Sequence, residues 1–315
     1  MLALTAGDPR GIGPEIVSKA LADPRVCERC DVLVVGPGGI GIDVAEKIGE
    51  WTPGGDAAAA GKLSGLAIER AARLAMDGRV AGIVTAPIDK SALLAGGYDF
   101  SGHTEMLAAL TGSRVAMMLA SEKLRVVLAT RHIPLSEVPA AVTARAIVEA
   151  AEITRRGLSD WFGIASPRIA LCALNPHAGD NRRFGSEDED ILAPAAKQAG
   201  ITGPFPADTV FVRAMRGEFD AVISPYHDVG MTAIKVASFG SAVNVTLGLP
   251  FPRTSPDHGT ALDIAGLNRA DASSMVRAIL LCSEIVERAP RSGGRQAYAD
   301  PPRASRSDAR PSRGP

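Results

Sequence analysis

Residues 2–15 read Leu2-Ala-Leu-Thr5, Ala6 and Gly7-Asp-Pro-Arg-Gly-Ile-Gly-Pro-Glu15, and this stretch decides the fold. The short apolar run predicts a buried strand, the glycine-rich segment predicts a tight turn, and Glu15–Leu21 has the spacing of a helix. A strand that leads directly into a helix is the repeating unit of α/β proteins. We therefore expect strands and helices to alternate along the chain.

The same alternation continues beyond this first unit. Apolar runs of strand length predict strands at Val32–Val35, Gly82–Thr85, Leu124–Thr130, Ile169–Leu174, Ala221–Ser224 and Ala242–Leu247. Apolar residues at helical spacing predict helices at Leu63–Met76, Thr143–Arg156, Ser186–Gln198 and Ala207–Arg216. Continuous Val, Ile and Leu strands separated by helices are typical of a parallel sheet that is covered on both faces. The predicted fold class is α/β.

The composition excludes several classes of protein. The 315 residues have a net charge of −1, so the chain lacks the basic surplus of a nucleic-acid-binding protein. No apolar run reaches the ~20 residues that span a bilayer, and the start of the chain lacks a secretory pattern. Four cysteines do not make a disulfide framework, which favours a cytoplasmic location. Residues 290–315 are rich in Arg, Ser, Pro and Gly, which predicts a disordered basic tail.

Three of the five histidines follow strands of the predicted sheet. His132, His177 and His227 each lie two or three residues beyond the end of a different predicted strand. Parallel strands present their carboxyl ends at one edge of a sheet, and three neutral imidazoles suit a divalent cation such as Zn²⁺. Each histidine could instead only hydrogen-bond within its turn. Asp228 follows His227 directly and suits a residue that orients this ligand, a base, or an ordinary turn residue.

Other polar residues lie near the ends of the strands. Asp89 and Lys90 follow the strand that ends at Thr85. Lys235 and Arg253 are cations that can hold an anionic substrate, since arginine grips phosphate or carboxylate with two N–H groups. Asn244 lies inside a predicted strand, where an amide either contacts the substrate or is a plain interior group.

Three further motifs have simpler interpretations. Gly36–Gly41 matches the G-x-G-x-x-G fingerprint of dinucleotide-binding proteins, but Asp56, the acidic residue at the required distance, lies in a predicted loop. Cys27-Glu-Arg-Cys30 has no second pair to complete a zinc ribbon and is interpreted as a helix end. The acidic run Glu187–Asp190 has the composition of a metal site but is interpreted as the first turn of a helix, in which Ser186 and Glu189 form a capping box.

A set of longer motifs occurs in order along the chain. They are Gly7-Asp-Pro-Arg-Gly-Ile-Gly-Pro-Glu15, Thr85-Ala-Pro-Ile-Asp-Lys90, Ser101-Gly-His-Thr-Glu105, Asn175-Pro-His-Ala-Gly179, Pro206-Ala-Asp-Thr209, Tyr226-His-Asp-Val-Gly230 and Asn244-Val-Thr-Leu-Gly-Leu-Pro-Phe251. Over residues 2–288 the chain therefore closely resembles the 4-hydroxythreonine-4-phosphate dehydrogenase family of vitamin B6 synthesis. The resemblance implies NAD- or NADP-linked oxidation of a secondary alcohol, 4-phosphohydroxy-L-threonine, to a β-keto acid that loses CO2.

The resemblance also implies an architecture. We expect two α/β/α lobes with largely parallel sheets, as in isocitrate and isopropylmalate dehydrogenases, with the active site in the cleft between them. Residues 1–100 and 255–289 would form the first lobe, and residues 101–254 the second, which carries the metal and substrate site. The family further implies a homodimer with active sites at the interface and one divalent metal (Zn, Mg or Co) per subunit.

The family motifs carry site residues over to this chain. The implied metal ligands are His132, His177 and His227. The implied substrate contacts are His103, Thr104, Lys235, Asn244 and Arg253. The segment Asp257–Gly266 resembles the adenosine-side loop of the isocitrate and isopropylmalate dehydrogenases. This second resemblance places the cofactor near His258, Gly259 and Asp263.

The chain departs from the family pattern at three places. Val229 stands where the family has Gln, directly beside a predicted ligand, the loop after His177 is unusually basic, and the stretch between residues 36 and 62 is short. The family also contains paralogues that act on threonate or erythronate 4-phosphate, and relatives that act on non-phosphorylated dihydrodiols. Retention of the His103–Thr104 motif with Lys235 and Arg253 favours a phosphorylated substrate without choosing among them. Alternatives of other classes are a metal-dependent phosphohydrolase and a catalytically silent sugar-phosphate binding protein.

Overall fold

The computed structural model describes residues 1–238 and 240–289, so the predicted tail at 290–315 lies outside the described residues. In the described part, the strands are β1 (Leu2–Thr5), β2 (Val32–Gly38), β3 (Glu46–Glu50), β4 (Ile83–Thr85), β5 (Ala116–Ala120), β6 (Arg125–Leu128), β7 (Ile169–Cys172), β8 (Thr202–Phe205), β9 (Ala221–Ser224), β10 (Val243–Leu247) and β11 (Arg253–Pro256). The α-helices are α1 (Gly13–Leu21), α2 (Pro24–Arg29), α3 (Ala57–Met76), α4 (Lys90–Ala95), α5 (His103–Thr111), α6 (Val138–Ala141), α7 (Ala144–Phe162), α8 (Ala193–Ala199), α9 (Ala207–Met215), α10 (His227–Ser238) and α11 (Ser273–Arg288). Among these helices, none has both the length and the hydropathy that crossing a bilayer demands.

All seven predicted strands are present, with ends within a few residues of the predicted bounds. The Gly36–Gly41 motif does not open a dinucleotide-binding helix, because β2 runs through its first glycines and β3 is the next element. Asp56 instead caps α3, since its carboxylate accepts the N–H of Ala59 at 2.8 Å. Cys30 lies at the end of α2, as predicted, and neither it nor Cys27 is in a disulfide.

The described strands form one continuous sheet in the order β3-β2-β1-β4-β11-β10-β5-β6-β9-β7-β8. β10 is antiparallel to β11 and β5, and β5 is antiparallel to β6, whereas the other neighbouring strands are parallel. The predicted α/β fold with a largely parallel sheet is confirmed, and the antiparallel pairs lie at the centre of the sheet. β5 and β6 are antiparallel because the short turn that joins them leaves no room for a crossover. The division into two lobes stays a prediction.

Helices cover both faces of the sheet. On one face, buried side chains of α1, α7, α8 and α11 pack in the largest core cluster. On the other face, α3 and α5 cover the half around β1 and β4, and α9 and α10 cover the half around β6, β7 and β9. Asn244 of β10 is the register partner of Ser255 of β11, so the two side chains share a face. Polar side chains of this kind occupy the central strands between the two helix groups.

Four described strands go unpredicted by the sequence, namely β3, β5, β8 and β11. β5 reads Ala116-Met-Met-Leu-Ala120, a composition that favours helix in isolation. β11 contains Arg253, Ser255 and Pro256, which are uncommon inside strands. Both form because a strand on each side supplies hydrogen-bond partners, which is a tertiary effect that local patterns do not carry.

The predicted helix at Ser186–Gln198 is only partly regular. Asp188–Leu192 is π-helical and only then does α8 begin. The predicted capping box is wrong, because the Glu189 N–H is accepted at 3.1 Å by the backbone carbonyl of Ser186 and no side chain caps this end. Pro194 in the first turn of α8 has no N–H, which removes one bond of the regular helical ladder at this point.

Candidate active site

A cavity of about 700 Å³ lies over the central strands of the sheet. Its floor includes Thr85 of β4, Met117 of β5, Asn244 of β10 and Arg253 of β11, and its walls are the start of α5 and one side of α10. All five side chains predicted to contact the substrate line this cavity: His103, Thr104, Lys235, Asn244 and Arg253. The fold thus gathers residues from α5, α10 and the neighbouring strands β10 and β11, and their roles toward a substrate stay predictions.

Arg253 is a buried cation in the floor of the cavity, only 2% exposed. Its Nη1 donates to the hydroxyl of Thr246 at 3.0 Å and its Nη2 to that of Thr85 at 2.5 Å. Within the described residues it forms no ion pair, and its Nε has no hydrogen-bond partner. Burial lowers the pKa of this guanidinium to about 10. Because a buried charge is costly without a counter-charge, the site fits an anionic ligand.

Two more buried polar atoms in the cavity lack partners, Nε2 of His103 and Oδ1 of Asn244. Burial, followed by the charges of Arg253 and Lys90, holds the pKa of His103 well below its usual range, so this imidazole is neutral. His103 begins α5, and Gly102 before it has φ 156° and ψ −167°, a conformation that is essentially restricted to glycine. The free N–H groups at this helix start add to the attraction for an anion.

His132 and His227 form a pair in the wall of the cavity. Their ring centroids lie 5.2 Å apart and their planes are tilted by 49°. The two residues meet because they follow β6 and β9, which are neighbours in the sheet. Burial, and then the charges of Lys90 and His227, lower the pKa of His132. A neutral imidazole is the form that binds a metal ion, so this pair fits as part of a cation site.

Asp228 lies beside this pair but is not among the residues that line the cavity. Its side chain is 87% exposed, and its Oδ1 lies 2.7 Å from Nδ1 of His227. This contact leaves Nε2 of His227 free, so the geometry fits an orienting residue better than a base that acts on the substrate. Val229, which replaces the usual Gln, packs against the core beneath α10.

His177 is not brought to this cavity within one chain. It lies on an exposed turn after β7, where its ring faces Phe184 at a centroid distance of 6.4 Å. Every residue from His177 to Arg182 has a positive φ, which is strained for all but Gly179. The part of the chain that the structure describes holds no group of three His, Cys, Asp or Glu able to bind a metal. The three predicted ligands therefore do not form a site inside one subunit.

The acidic residues that follow this turn hold it in place. Asp188, which is 1% exposed, accepts the N–H groups of Leu174 at 2.8 Å and Asn175 at 2.9 Å. Glu187 accepts from the side-chain amide of Asn175 at 2.8 Å, and Arg182 binds the two acidic residues after Asp188. The interpretation as a plain helix start misses this role, although the short distance in sequence to the Asn-Pro-His motif is a usable signal.

The predicted cofactor residues divide between two places. His258 and Gly259 line the cavity that holds the substrate residues, whereas Asp263 is exposed and lines neither described cavity. A second cavity of about 470 Å³ is lined by the first glycine-rich turn, by Lys19 and by Gly266. The segment that begins at His258 therefore runs from one cavity to the other.

The remaining charges of the main cavity are partly paired. Nζ of Lys235 lies 3.2 Å from Oδ2 of Asp257, whose pKa is raised by burial against the opposing effect of Lys235. Glu105 lies 3.6 Å from Nε of Arg131. Lys90 also lines the cavity, and in the sequence it follows a predicted strand but has no predicted role. Its position in the Thr-Ala-Pro-Ile-Asp-Lys motif is the signal that could have found it.

Comparison with known proteins matches this architecture and these motifs. The family model of the pyridoxal phosphate biosynthetic protein PdxA matches residues 17–282. The chain belongs to this family. The PdxA-family relative 4-hydroxythreonine-4-phosphate dehydrogenase of Desulfosudis oleivorans is 43% identical over 317 residues, covering 89% of this chain and 94% of that protein. The enzyme of the same name from Geobacter metallireducens is 43% identical over 331 residues, covering 93% and 97%.

A solved PdxA-family structure agrees with the fold. The 1.25 Å crystal structure of 4-hydroxythreonine-4-phosphate dehydrogenase from Klebsiella pneumoniae has a TM-score of 0.82 to this chain, with 39% identity over 91% of this chain and 98% of that one. The predicted family, the α/β fold and an enzyme of the dehydrogenase class are confirmed.

Proposed function

We propose that the chain catalyses the metal-dependent, NAD- or NADP-linked oxidation of 4-hydroxythreonine 4-phosphate to a β-keto acid that decarboxylates. The names of the PdxA-family relatives support this reaction. The observation that carries the proposal is Arg253, a buried cation without an acidic partner, in a cavity whose other unpartnered atoms belong to His103 and Asn244. An anionic substrate supplies the charge and the hydrogen bonds that these groups lack.

The phosphate of the substrate is assigned to the side of the cavity where Arg253 meets the start of α5. There Arg253, Thr104 and the uncapped start of α5 line the same cavity, and a guanidinium and free helix N–H groups both suit a phosphate. Neutral His103 donates a hydrogen bond to the phosphate without adding a charge. Asn244 and Lys235, which line the same cavity, orient the carbon chain and its carboxylate, and Asp257 holds the Lys235 ammonium in position.

His132 and His227 fit as two ligands of a divalent cation, because both are nitrogen donors that face the same cavity. When bound, such a cation polarises the substrate hydroxyl as a Lewis acid. Asp228 orients His227 by accepting its Nδ1–H. The third ligand is His177 of a second copy of the chain, since its own subunit leaves this imidazole exposed and outside the cavity. An all-imidazole set favours Zn²⁺ over Mg²⁺.

The segment that contains His258 and Gly259 is proposed to hold the cofactor, with the nicotinamide in the main cavity and the adenosine end in the second one. When bound, NAD or NADP accepts the hydride from the substrate. Asp263 is exposed on the same segment and lines neither cavity, so its contact with the cofactor is the least supported of the three.

A substrate panel tests the reaction. The purified protein with Zn²⁺ and NAD or NADP is given 4-hydroxythreonine 4-phosphate, threonate 4-phosphate, erythronate 4-phosphate or a non-phosphorylated dihydrodiol. We expect reduced nicotinamide from the first compound and less from the others. Release of inorganic phosphate without cofactor reduction overturns the proposal in favour of a phosphohydrolase. Binding without either product indicates a binding protein.

Mixing two inactive variants tests the shared metal site. His132→Ala and His177→Ala should each lack metal and turnover as separate homodimers. In a mixed dimer, one of the two sites contains only intact ligands, so random mixing restores about a quarter of wild-type activity and metal content. Mixtures that stay inactive and metal-free contradict a site built from two subunits.

A further inference from the structure

Lys90 is a cation of the main cavity that has no assigned role. Five charged side chains line this cavity: Lys90, Glu105, Lys235, Arg253 and Asp257. Lys235 is paired with Asp257, and Glu105 faces Arg131. The backbone of Lys90 begins α4, but its side chain forms no hydrogen bond or ion pair with the other described residues. A free ammonium that lines a substrate cavity can bind an anionic oxygen of the substrate.

The backbone at Lys90 is held from two sides. Asp89 caps α4 by accepting the N–H groups of the next two residues at 2.8 and 3.0 Å, and it also accepts from Arg10 at 3.3 Å. Opposite this cap, α3 approaches α4 so closely that a Cβ on Gly61 would lie 1.7 Å from the carbonyl oxygen of Ala92. The backbone of Lys90 is therefore fixed in position, and its exposed side chain extends from a rigid element of the fold.

The stem of Lys90 lies against the turn that precedes α5. A methyl group on Gly102 would lie 3.7 Å from Cε of Lys90, so the stem passes over the residue that precedes α5. Lys90 lines the same cavity as His103 and His132, and its charge contributes to the lowered pKa of His103. A substrate whose phosphate lies beside Arg253 and whose hydroxyl lies beside the imidazole pair therefore occupies the same cavity as Lys90.

We propose that Lys90 is a further catalytic residue, whose ammonium contacts the oxygen of the alcohol that is oxidised. This inference rests on the proposed function. The O–H proton leaves to solvent, the C–H bond breaks with its electron pair passing to the nicotinamide, and a C=O bond forms. The bond to the carboxylate then breaks, CO2 leaves, and the electron pair moves to the carbonyl oxygen as an enolate. Lys90 keeps its protons and stabilises the negative charge on this oxygen until water protonates the carbon.

Steady-state kinetics of Lys90→Ala and Lys90→Gln test the role, with Lys123→Gln, an exposed lysine in the turn between β5 and β6, as the matched control. We expect kcat to fall by about 10²-fold in both Lys90 variants, as when one donor to a developing oxyanion is removed. KM should stay within about threefold, because the phosphate contacts remain. The isotope effect from deuterium at the oxidised carbon should rise, and methylammonium should partly restore Lys90→Ala.

The outcomes separate this proposal from the proposed function. A wild-type protein without cofactor reduction overturns the function, whereas an active wild type with unchanged kcat in the Lys90 variants overturns only the role of Lys90. A raised KM with unchanged kcat, together with weaker binding of inorganic phosphate, shows that Lys90 only grips the phosphate, which also overturns the proposal. Metal content and the unfolding midpoint should match the wild type, and Lys90→Gln retains most of the stem if Lys90→Ala does not fold.

Discussion

Replacing Arg253 with Met should make the ligand-free protein more stable while it abolishes anion binding. Burial lowers the pKa of this guanidinium from 12.5 to about 10. The difference of 2.5 units corresponds to about 3 kcal/mol that the folded state loses by keeping the cation. Because the folded pKa lies below the unfolded one, the whole penalty is present below about pH 10, and therefore at neutral pH.

Methionine removes that penalty but takes away the hydrogen bonds to Thr85 and Thr246. Two hydroxyls without partners cost about 1 kcal/mol each. The expected result is a free energy of unfolding about 1 kcal/mol higher for Arg253→Met than for the wild type in a buffer without phosphate.

Urea unfolding with and without inorganic phosphate measures both effects. At a phosphate concentration about 100 times its Kd, the wild type should gain about 2.7 kcal/mol and the variant nothing. Arg145→Met, at an exposed position of α7, is the control and should respond as the wild type does. If Arg253→Met is several kcal/mol less stable without phosphate, or gains as much from phosphate as the wild type, the reasoning about a buried cation awaiting an anion is refuted.

Three other perturbations follow from the structure. Asp188→Asn keeps one oxygen acceptor where two backbone N–H groups need one each, so the free energy of unfolding should fall by about 2 kcal/mol and amide exchange at residues 177–182 should become faster. Unchanged exchange rates contradict the role of Asp188 in holding this turn. Gly61→Ala places a Cβ 1.7 Å from the carbonyl oxygen of Ala92 and should lower the free energy of unfolding in urea by more than about 3 kcal/mol. A smaller loss of stability means that α3 and α4 separate easily. Since the pKa of His103 is well below 6.5 when folded, the unfolded chain binds a proton first and stability falls as pH drops below about 6.5, by up to about 1.4 kcal/mol per pH unit. His103→Asn should flatten that slope between pH 5 and 7, and an identical slope removes His103 as its source.

The fold is largely predictable because its strands are apolar and regularly spaced. Every residue of β1, β4 and β9 is buried, so each strand is a largely apolar run that the local sequence is enough to predict. β5 and β11 are different, since neither Ala-Met-Met-Leu-Ala nor Arg-Thr-Ser-Pro favours a strand by itself, and only their neighbours in the sheet make them strands. The antiparallel centre of the sheet is formed by β5 and β11 with their neighbours. Because these two strands cannot be predicted from the sequence, the antiparallel pairing cannot be predicted either.

The site is predictable where motifs carry it and obscure where burial decides. The Gly-His-Thr-Glu motif and the strand-end histidines lead to His103, His132 and His227, all of which line one cavity. Nothing in the sequence indicates that Arg253 is buried, because burial of a cation runs against the ordinary preference of arginine for the surface. His177 lies apart from the other two imidazoles on a turn in which residues 177–182 all have positive φ. No side-chain pattern in the sequence predicts this backbone conformation.

The contact between β4 and β11 has a consequence for how the protein is made. Arg253 and Thr85 hydrogen-bond across 168 positions of the chain. At ~5–20 residues per second on the ribosome, β4 is completed roughly 10 to 30 s before its second neighbour exists. During that interval the nascent chain presents an open strand edge, and it is the late-emerging segment with the arginine that closes it. A premature stop before residue 253 would therefore release a polypeptide prone to aggregate and dependent on chaperones, and a translation pause there would prolong the exposure of this edge.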